Sequence, residues 1–472
     1  MKKREHILQY GFLIVLFIFL LMWAFIQPYN ASPDEDMRYQ VVKYIINHNA
    51  LPDGRDPEIR NLIWGISYGF NPYLSLIISA LFAKVVSFFT MEQMALVMAG
   101  RIANVVIATG NAYLVMKIGH ELFEKEEKWL FVSLVSFLPG ALFLGTYLNN
   151  DMLAIFSVSG IIYNWVRAAK YGWNVKNSTG LAVFIAICTL SYYNAYSFIL
   201  CSILFFVITA LFYGSKKWDF KNMWKWGILI AVIVLCCAGW WFLRNLIIYD
   251  GDLLGRETMN KCAELYAQPE YRPGLIFTPK SAGMSVWDML FYVHGDFRHN
   301  WMMTVYYSFI GTFGFMDIFM PDIIGKIYFV FFFIGIVGVL THFSYVFGCH
   351  RTNIRKKKEM METGGFRCRI QYERKSFKDT NSLIHLMMVL ASGITVGLAV
   401  WYSYASDFQA QGRYIMPILI PMMYFVTMGY KLLLERFVKN EKIRRGFYLI
   451  SSIIVFAAAV YAYAAVLYPA YR

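Results

Sequence analysis

Charge is what this 472-residue chain lacks. Only 16% of it is Asp, Glu, Lys or Arg, where soluble domains carry roughly 25%. Its apolar segments lack the period-2 alternation of barrel strands, which excludes a membrane β-barrel. Cysteine chemistry is also missing. Cys188, Cys201, Cys236 and Cys237 lie in apolar runs, no C-x-x-C spacing occurs, and Cys262 alone is a candidate for the outer face. Neither a disulfide framework nor a zinc site is expected. No internal repeat or low-complexity segment is visible, which argues against a transporter built from inverted repeats.

What is present is apolar length. Hydrophobic residues make up 58% of the chain, in recurrent runs of about 18–25 residues, enough for a helix to cross a bilayer. Backbone polar groups in lipid are satisfied only by helices or closed barrels. The fold class is therefore all-α, a polytopic integral membrane protein with about eleven spans. The net charge of +14 sits in short loops between the runs. The positive-inside rule accounts for it, and no nucleic-acid partner is expected.

Lys2, Lys3 and Arg4 predict a cytoplasmic N-terminus, and the run Ile7–Ile26 is too long for a signal peptide, so it reads as a retained first helix. The pattern predicts a single domain over 1–472. It has a first outer loop at 28–93, a long outer loop at 249–321 and a basic cytoplasmic loop at 348–381. Residues 71–90 read as a juxtamembrane helix, 129–148 as a full span and 301–320 as re-entrant or interfacial. The stretch 179–213 reads as two short helices broken at Ser191-Tyr192-Tyr193-Asn194.

The candidates for chemistry share one depth. Ser32-Pro33-Asp34-Glu35-Asp36 places three carboxylates just beyond the first span. Mutual repulsion and low dielectric raise the pKa of at least one such group, which suits a general base. A solvated acidic loop marking the outer face is the plainer alternative. Arg101, about two turns into the second span, and Arg413, in Gln411-Gly412-Arg413-Tyr414 at a helix start, are cations that could hold a phosphate. Either could instead be an interfacial anchor. Asn150 and Asp151 stand where the next inward helix needs an N-cap, so cap and site overlap there. His294, Asp296, Arg298 and His299 read as a polar loop, and Tyr192-Tyr193 and Trp240-Trp241 as interfacial aromatics that could stack on sugars.

An acidic pair outside helix 1, a Pro-led juxtamembrane helix, an Arg in helix 2 and an Asp after helix 3 together resemble the GT-C superfamily of membrane glycosyltransferases. Protein O-mannosyltransferases and aminoarabinose transferases are among its branches. Pro33-Asp34-Glu35, Asn150-Asp151 and Gln411-Gly412-Arg413-Tyr414 look closer still to a bacterial polytopic family of unassigned function. The resemblance implies an outward-facing site and a polyprenyl-phosphate-linked sugar as donor. It implies Asp34 as base with Glu35 as its partner, and Asp151 as a second outer-loop acid. The usual His-Pro-Pro before the juxtamembrane helix is here Phe70-Asn71-Pro72-Tyr73, a departure.

The reading is an inverting glycosyltransferase of the plasma membrane. Its catalytic pair is Asp34 and Glu35, its donor-phosphate ligands are Arg101 and Arg413, and Asn150 and Asp151 lie on the substrate side. Its partners are the bilayer, a lipid-linked sugar and a cell-envelope glycan, lipid or protein acceptor, with a divalent ion left open. The rivals are a transporter or flippase of lipid-linked glycans, and a non-catalytic assembly subunit. A transporter places charge at the bilayer midplane, whereas here the acids lie at one face.

Overall fold

A computed structural model describes residues 2–212, 218–295, 298–348, 355–360, 366–371 and 380–472, with backbone alone for 2–5, 355–360, 366–371 and 380. Lys216, Lys217, Asp296 and the side chains of the basic loop therefore lie outside the described residues. Helices dominate. Among the described residues nine are long and apolar enough to cross a membrane. The expected count of about eleven differs because the segment at 129–148 is broken and the helix Val175–Thr189 is apolar but short.

The chain runs through α1 (Lys2–Ile26), α2 (Glu35–His48), α3 (Leu74–Ser87), α4 (Gln93–Leu122), α5 (Glu127–Ser136) and α6 (Pro139–Leu144). The expected full span at 129–148 is thus two pieces. Pro139 has no N–H for a helix ladder and starts α6 at its first turn, where that loss costs nothing. Then come α7 (Asp151–Tyr171), α8 (Val175–Thr189), α9 (Tyr196–Phe212) and α10 (Phe220–Ile248). The break between α8 and α9 spans Leu190–Ala195 and includes the expected Ser191–Asn194 segment. The juxtamembrane segment is the 14-residue α3, below the roughly 20 residues a span needs.

Residues 249–321 hold α11 (Arg256–Tyr266), α12 (Val286–Phe291), α13 (Trp301–Gly311) and a tight antiparallel pair, β1 (Thr312–Phe313) with β2 (Ile318–Phe319). After α14 (Asp322–Thr341) and α15 (Phe343–Val346), an antiparallel ribbon pairs β3 (Arg355–Met360) with β4 (Phe366–Gln371). The chain closes with α16 (Thr380–Ala405), a 3-10 segment Gly412–Ile418, α17 (Leu419–Phe437) and α18 (Glu441–Tyr461), which runs on through a π-helical turn Ala462–Leu467 into the short helix Tyr468–Ala470.

The core lies where α1, α4, α5, α7 and α17 meet, around Trp23, Phe131, Trp165 and Tyr424, all buried. Outward faces stay apolar, with Ile14, Leu235, Phe329 and Ile453 exposed. In water such a belt would be a liability, and in a bilayer it is the solvent-matched surface. One end is laced by ion pairs, Lys170–Glu121 at 2.8 Å, Lys125–Glu441 at 2.6 Å and Arg445–Glu126 at 3.0 Å. The opposite end gathers the C-terminus of α1 and the N-termini of α2, α4 and α7 with the 3-10 segment, and the candidate site is there.

Close helix contact holds α14 to α17. A Cβ built on Gly429 would fall 1.7 Å from the Gly335 carbonyl, and one on Gly338 would fall 2.4 Å from the Gly429 carbonyl. Small residues let two backbones approach, a membrane packing device. Gly429→Val is expected to force the pair apart at a cost of about 1–3 kcal/mol, read as a lower melting temperature of the purified protein. Wild-type melting would mean that the helices yield freely.

Candidate active site

Gln27 sets the geometry just beyond α1. Its Nε2 donates to the Trp23 carbonyl at 2.9 Å and to Thr146 Oγ1 at 2.8 Å, while its Oε1 accepts from Ser32 at 2.7 Å. Pro33 follows, and Asp34 then takes φ 60° and ψ 14°, a left-handed conformation. For a non-glycine residue that costs roughly 1–2 kcal/mol. Asp34 occupies the N-cap position of α2 yet makes no capping bond. Its carboxylate is aimed sideways, and Oδ2 accepts from Arg413 Nη2 at 2.9 Å, from Tyr68 Oη at 3.0 Å and from Arg38 Nη2 at 3.5 Å. No described residue bonds Oδ1, and the side chain is 30% exposed. Burial pushes this carboxyl up, but the Arg413 and Arg38 charges and the bonds from Arg413 and Tyr68 outweigh it and hold it at about 2.

Glu35, one residue on, faces the other way. Its carboxylate takes Arg101 Nε at 2.8 Å and Nη2 at 2.6 Å, the Leu148 N–H at 3.3 Å and the Asn30 N–H at 3.2 Å. Both members of the pair are fully buried. Arg101 also donates to the carbonyls of Ala24 at 3.0 Å, Gln27 at 2.6 Å and Pro28 at 2.9 Å. These contacts engage all five N–H groups of a guanidinium, so Arg101 as placed has none left for a phosphate. Glu35 likewise has no lone pair turned to a substrate. As placed, Glu35 and Arg101 are committed to each other and to backbone rather than to the expected roles of partner base and phosphate ligand. The two clamp α1, α2 and α4 together beneath Asp34.

Two residues absent from the sequence reading complete the site. Arg38 is buried and donates to the carbonyls of Pro33 at 2.7 Å and Leu148 at 3.3 Å, and to Tyr68 Oη at 3.2 Å besides Asp34. Its spacing of four from Asp34 on one helix face was the signal that could have found it. Tyr68, in a short 3-10 turn 34 residues away, carries no such signal.

Arg413 differs from both other arginines. It uses Nη2 alone, toward Asp34 and toward Tyr414 Oη at 3.2 Å, and among the described residues both its Nε and its Nη1 are buried without a partner, where Arg38 leaves only Nε so. Gly412 brings backbone against backbone. It is glycine because a Cβ would lie 2.2 Å from the Phe309 nitrogen, so α13 packs directly on this segment. Beside Arg413, Pro33, Tyr147 and Gln411 line a cleft of about 20 Å³, room for little more than one water. Gln411 Oε1 is buried there without a partner.

Asn149, rather than Asn150, caps α7, accepting the Met152 N–H at 3.0 Å. Asn150 instead ties α7 to α3, accepting from Ser75 Oγ at 2.5 Å and donating to the Pro72 carbonyl at 3.1 Å. Asp151 is buried with Oδ1 unpartnered. The Phe70–Tyr73 departure is a packing segment, Phe70 against Tyr249 and Tyr73 against Trp241. The described members of the polar loop turn to different partners. His294 bonds the Asp288 carbonyl, Arg298 pairs with Asp322, and His299 stacks on Tyr307.

The family described as "Predicted membrane protein (DUF2142)" matches residues 63–423. This chain belongs to the DUF2142 family. The match covers Arg101, Asn150, Asp151 and Arg413 and begins after Asp34. No curated protein matches the sequence. Among solved structures, this DUF2142 protein is similar to the apo oligosaccharyltransferase of Archaeoglobus fulgidus, with TM-score 0.55 and 14% identity over 96% of this chain and 55% of that one. The same oligosaccharyltransferase, AglB, in complex with an inhibitory peptide and a dolichol-phosphate, aligns with TM-score 0.53 and 13% identity over 96% and 56% of the two chains. ArnT from Cupriavidus metallidurans bound to undecaprenyl phosphate aligns with TM-score 0.46 and 12% identity over 97% and 73%. The DUF2142 chain thus has a GT-C-like membrane fold, as its motifs led one to expect, and spans a little over half the length of the archaeal enzyme.

Proposed function

We propose that the chain is an inverting membrane glycosyltransferase that moves a sugar from a polyprenyl-phosphate carrier to an acceptor hydroxyl. One observation carries the reading. Of the three arginines around the acidic stretch, Arg413 alone keeps three uncommitted N–H groups, on Nε and Nη1, beside a carboxylate with a free oxygen. A buried guanidinium with spare donors suits a phosphate, which it can bind through two parallel hydrogen bonds. The dolichol-phosphate in complex with the archaeal enzyme of similar fold supports a lipid-phosphate ligand.

In the transfer, Asp34 Oδ1 takes the proton of the acceptor hydroxyl as that oxygen bonds to the anomeric carbon. The carbon's bond to the phosphate oxygen breaks, and its electron pair leaves with the polyprenyl phosphate. Arg413 meets the charge that grows there. Asp151 is the second acid, with its unpartnered Oδ1 available to a substrate hydroxyl. Arg101 and Glu35 hold the frame. A divalent ion fits this donor set poorly. Glu35 is committed to Arg101, Asp34 Oδ2 faces two arginines, and no group of three or more His, Cys, Asp or Glu gathers among the described residues.

Arg413→Lys keeps the charge and loses the fork, so undecaprenyl phosphate should bind the purified protein more weakly. A charged hydrogen bond is worth about 1.5–3 kcal/mol, or roughly 10- to 150-fold in affinity. Arg413→Gln should be weaker again. Wild-type affinity in Arg413→Lys would reduce Arg413 to an anchor and remove the phosphate from the site.

The site is proposed to face outward with the N-terminus in the cytoplasm, by the basic residues Lys2, Lys3 and Arg4. Single cysteines at exposed Glu58 or Lys261 should then react with an impermeant maleimide in intact cells, and those at Lys125 or Lys442 should not. The opposite labelling would invert the protein.

A further inference from the structure

The two cations on Asp34 are held very differently. Arg38 is tied by the Pro33 and Leu148 carbonyls and by Tyr68, so it cannot leave without losing backbone contacts on two elements. Among the described residues Arg413 is hydrogen-bonded to Asp34 and Tyr414 alone. Both cations and Tyr68 crowd onto the same oxygen, Oδ2. The cleft beside Arg413, about 20 Å³, is far too small for a sugar phosphate. Seating a sugar phosphate against Arg413 therefore requires the groups around it to move.

We propose that the Asp34–Arg413 pair is a resting lock opened by the donor itself: the phosphate takes over Arg413, and Asp34, kept in position by Arg38 and Tyr68, is released to act as base. The proposal rests on the glycosyltransferase reading above and adds an order of events to it. Arg413 is the exchangeable counter-ion, and Arg38 and Tyr68 are positioning residues.

The exchange resolves a chemical difficulty. A carboxylate held at about 2 is a weak base near neutral pH. Removing the Arg413 charge and bringing in a negative phosphate both favour the protonated form, so the carboxyl moves up toward the working range. The other groups facing Asp34 are Arg38 on its own helix, Tyr68, Tyr147, Asp151 at the start of α7, Tyr414 and Asp407. Of these only Arg38 is a cation, and it stays. The carboxyl should therefore rise without reaching the value of an isolated buried acid. The base is weak until the leaving group is in place, which protects against deprotonating an acceptor with no donor present.

The test is proton linkage. Undecaprenyl phosphate is titrated into the purified full-length protein by calorimetry, in buffers of different ionisation enthalpy, between pH 7 and pH 5. Wild type should take up a fraction of a proton that grows as pH falls, relative to Asp34→Asn, whose amide cannot accept one. The subtraction removes protons exchanged by the phosphate itself. Infrared difference spectra of the wild type alone should show a protonated carboxyl appearing on binding at pH 5, a readout that does not depend on any variant folding. Tyr68→Phe should move the uptake to higher pH, since Asp34 loses a donor to its charged form. Binding with equal proton counts in wild type and Asp34→Asn, and no carboxyl band, would overturn the lock while leaving the transferase reading intact. Absence of undecaprenyl phosphate binding in the wild type would overturn both.

Discussion

Glu35→Ala should cost the folded protein about 3–5 kcal/mol, the usual loss when one partner of a buried ion pair is removed. The size follows from what is left behind. Arg101 would stay fully buried with its charge uncompensated, and the Leu148 and Asn30 N–H groups would lose their acceptor. Native domains have only about 5–15 kcal/mol to lose, so the variant should be recovered in low yield and should unfold at markedly lower detergent or temperature. Replacing both partners by apolar residues of similar volume, Glu35→Leu with Arg101→Met, should recover much of the loss, because no charge is then stranded. Wild-type stability in Glu35→Ala would mean that water reaches Arg101, and the buried clamp would be wrong.

Asp34→Asn, one residue away, should behave differently. Its carboxylate is partly exposed, and its left-handed backbone suits Asn at least as well as Asp. Asn keeps the shape but leaves the Arg38 and Arg413 guanidiniums without a counter-charge, so some stability should be lost, less than in Glu35→Ala. Turnover should fall by roughly 10²–10⁴-fold, the usual contribution of a general base, measured as sugar transfer in membranes or with purified protein. Full activity with normal expression would move the base elsewhere, with Asp151 next in line. The contrast between these neighbours separates a structural acid from a catalytic one more sharply than either variant alone.

Much of this was legible in the sequence. Apolar run length gave the helical membrane class, and the Ser191–Asn194 interruption gave the break between α8 and α9. The convergence of Asp34, Asp151 and Arg413 at one end followed from topology, since each sits where a run begins or stops. What could not be read was the direction of side chains. Asp34 and Glu35 are adjacent, yet the left-handed turn at Asp34 and the start of α2 send one to Arg413 and the other to Arg101. Arg101 advertised a buried charge but not its partner, because Glu35 lies 66 residues away and the pairing depends on how α1, α2 and α4 pack. Pro139 was visible, but apolarity outweighed it, and a broken passage read as a continuous span. Nor does the sequence show that Gly412 lies against the backbone at Phe309.

The most direct test is the lipid-linked sugar pool of cells that express wild type, Asp34→Asn or no protein, extracted and compared by mass spectrometry. A transferase that draws on a polyprenyl-phosphate sugar predicts that one such lipid accumulates in the absence of the protein and equally in Asp34→Asn, and that wild type clears it. An unchanged pool across all three strains would contradict the account.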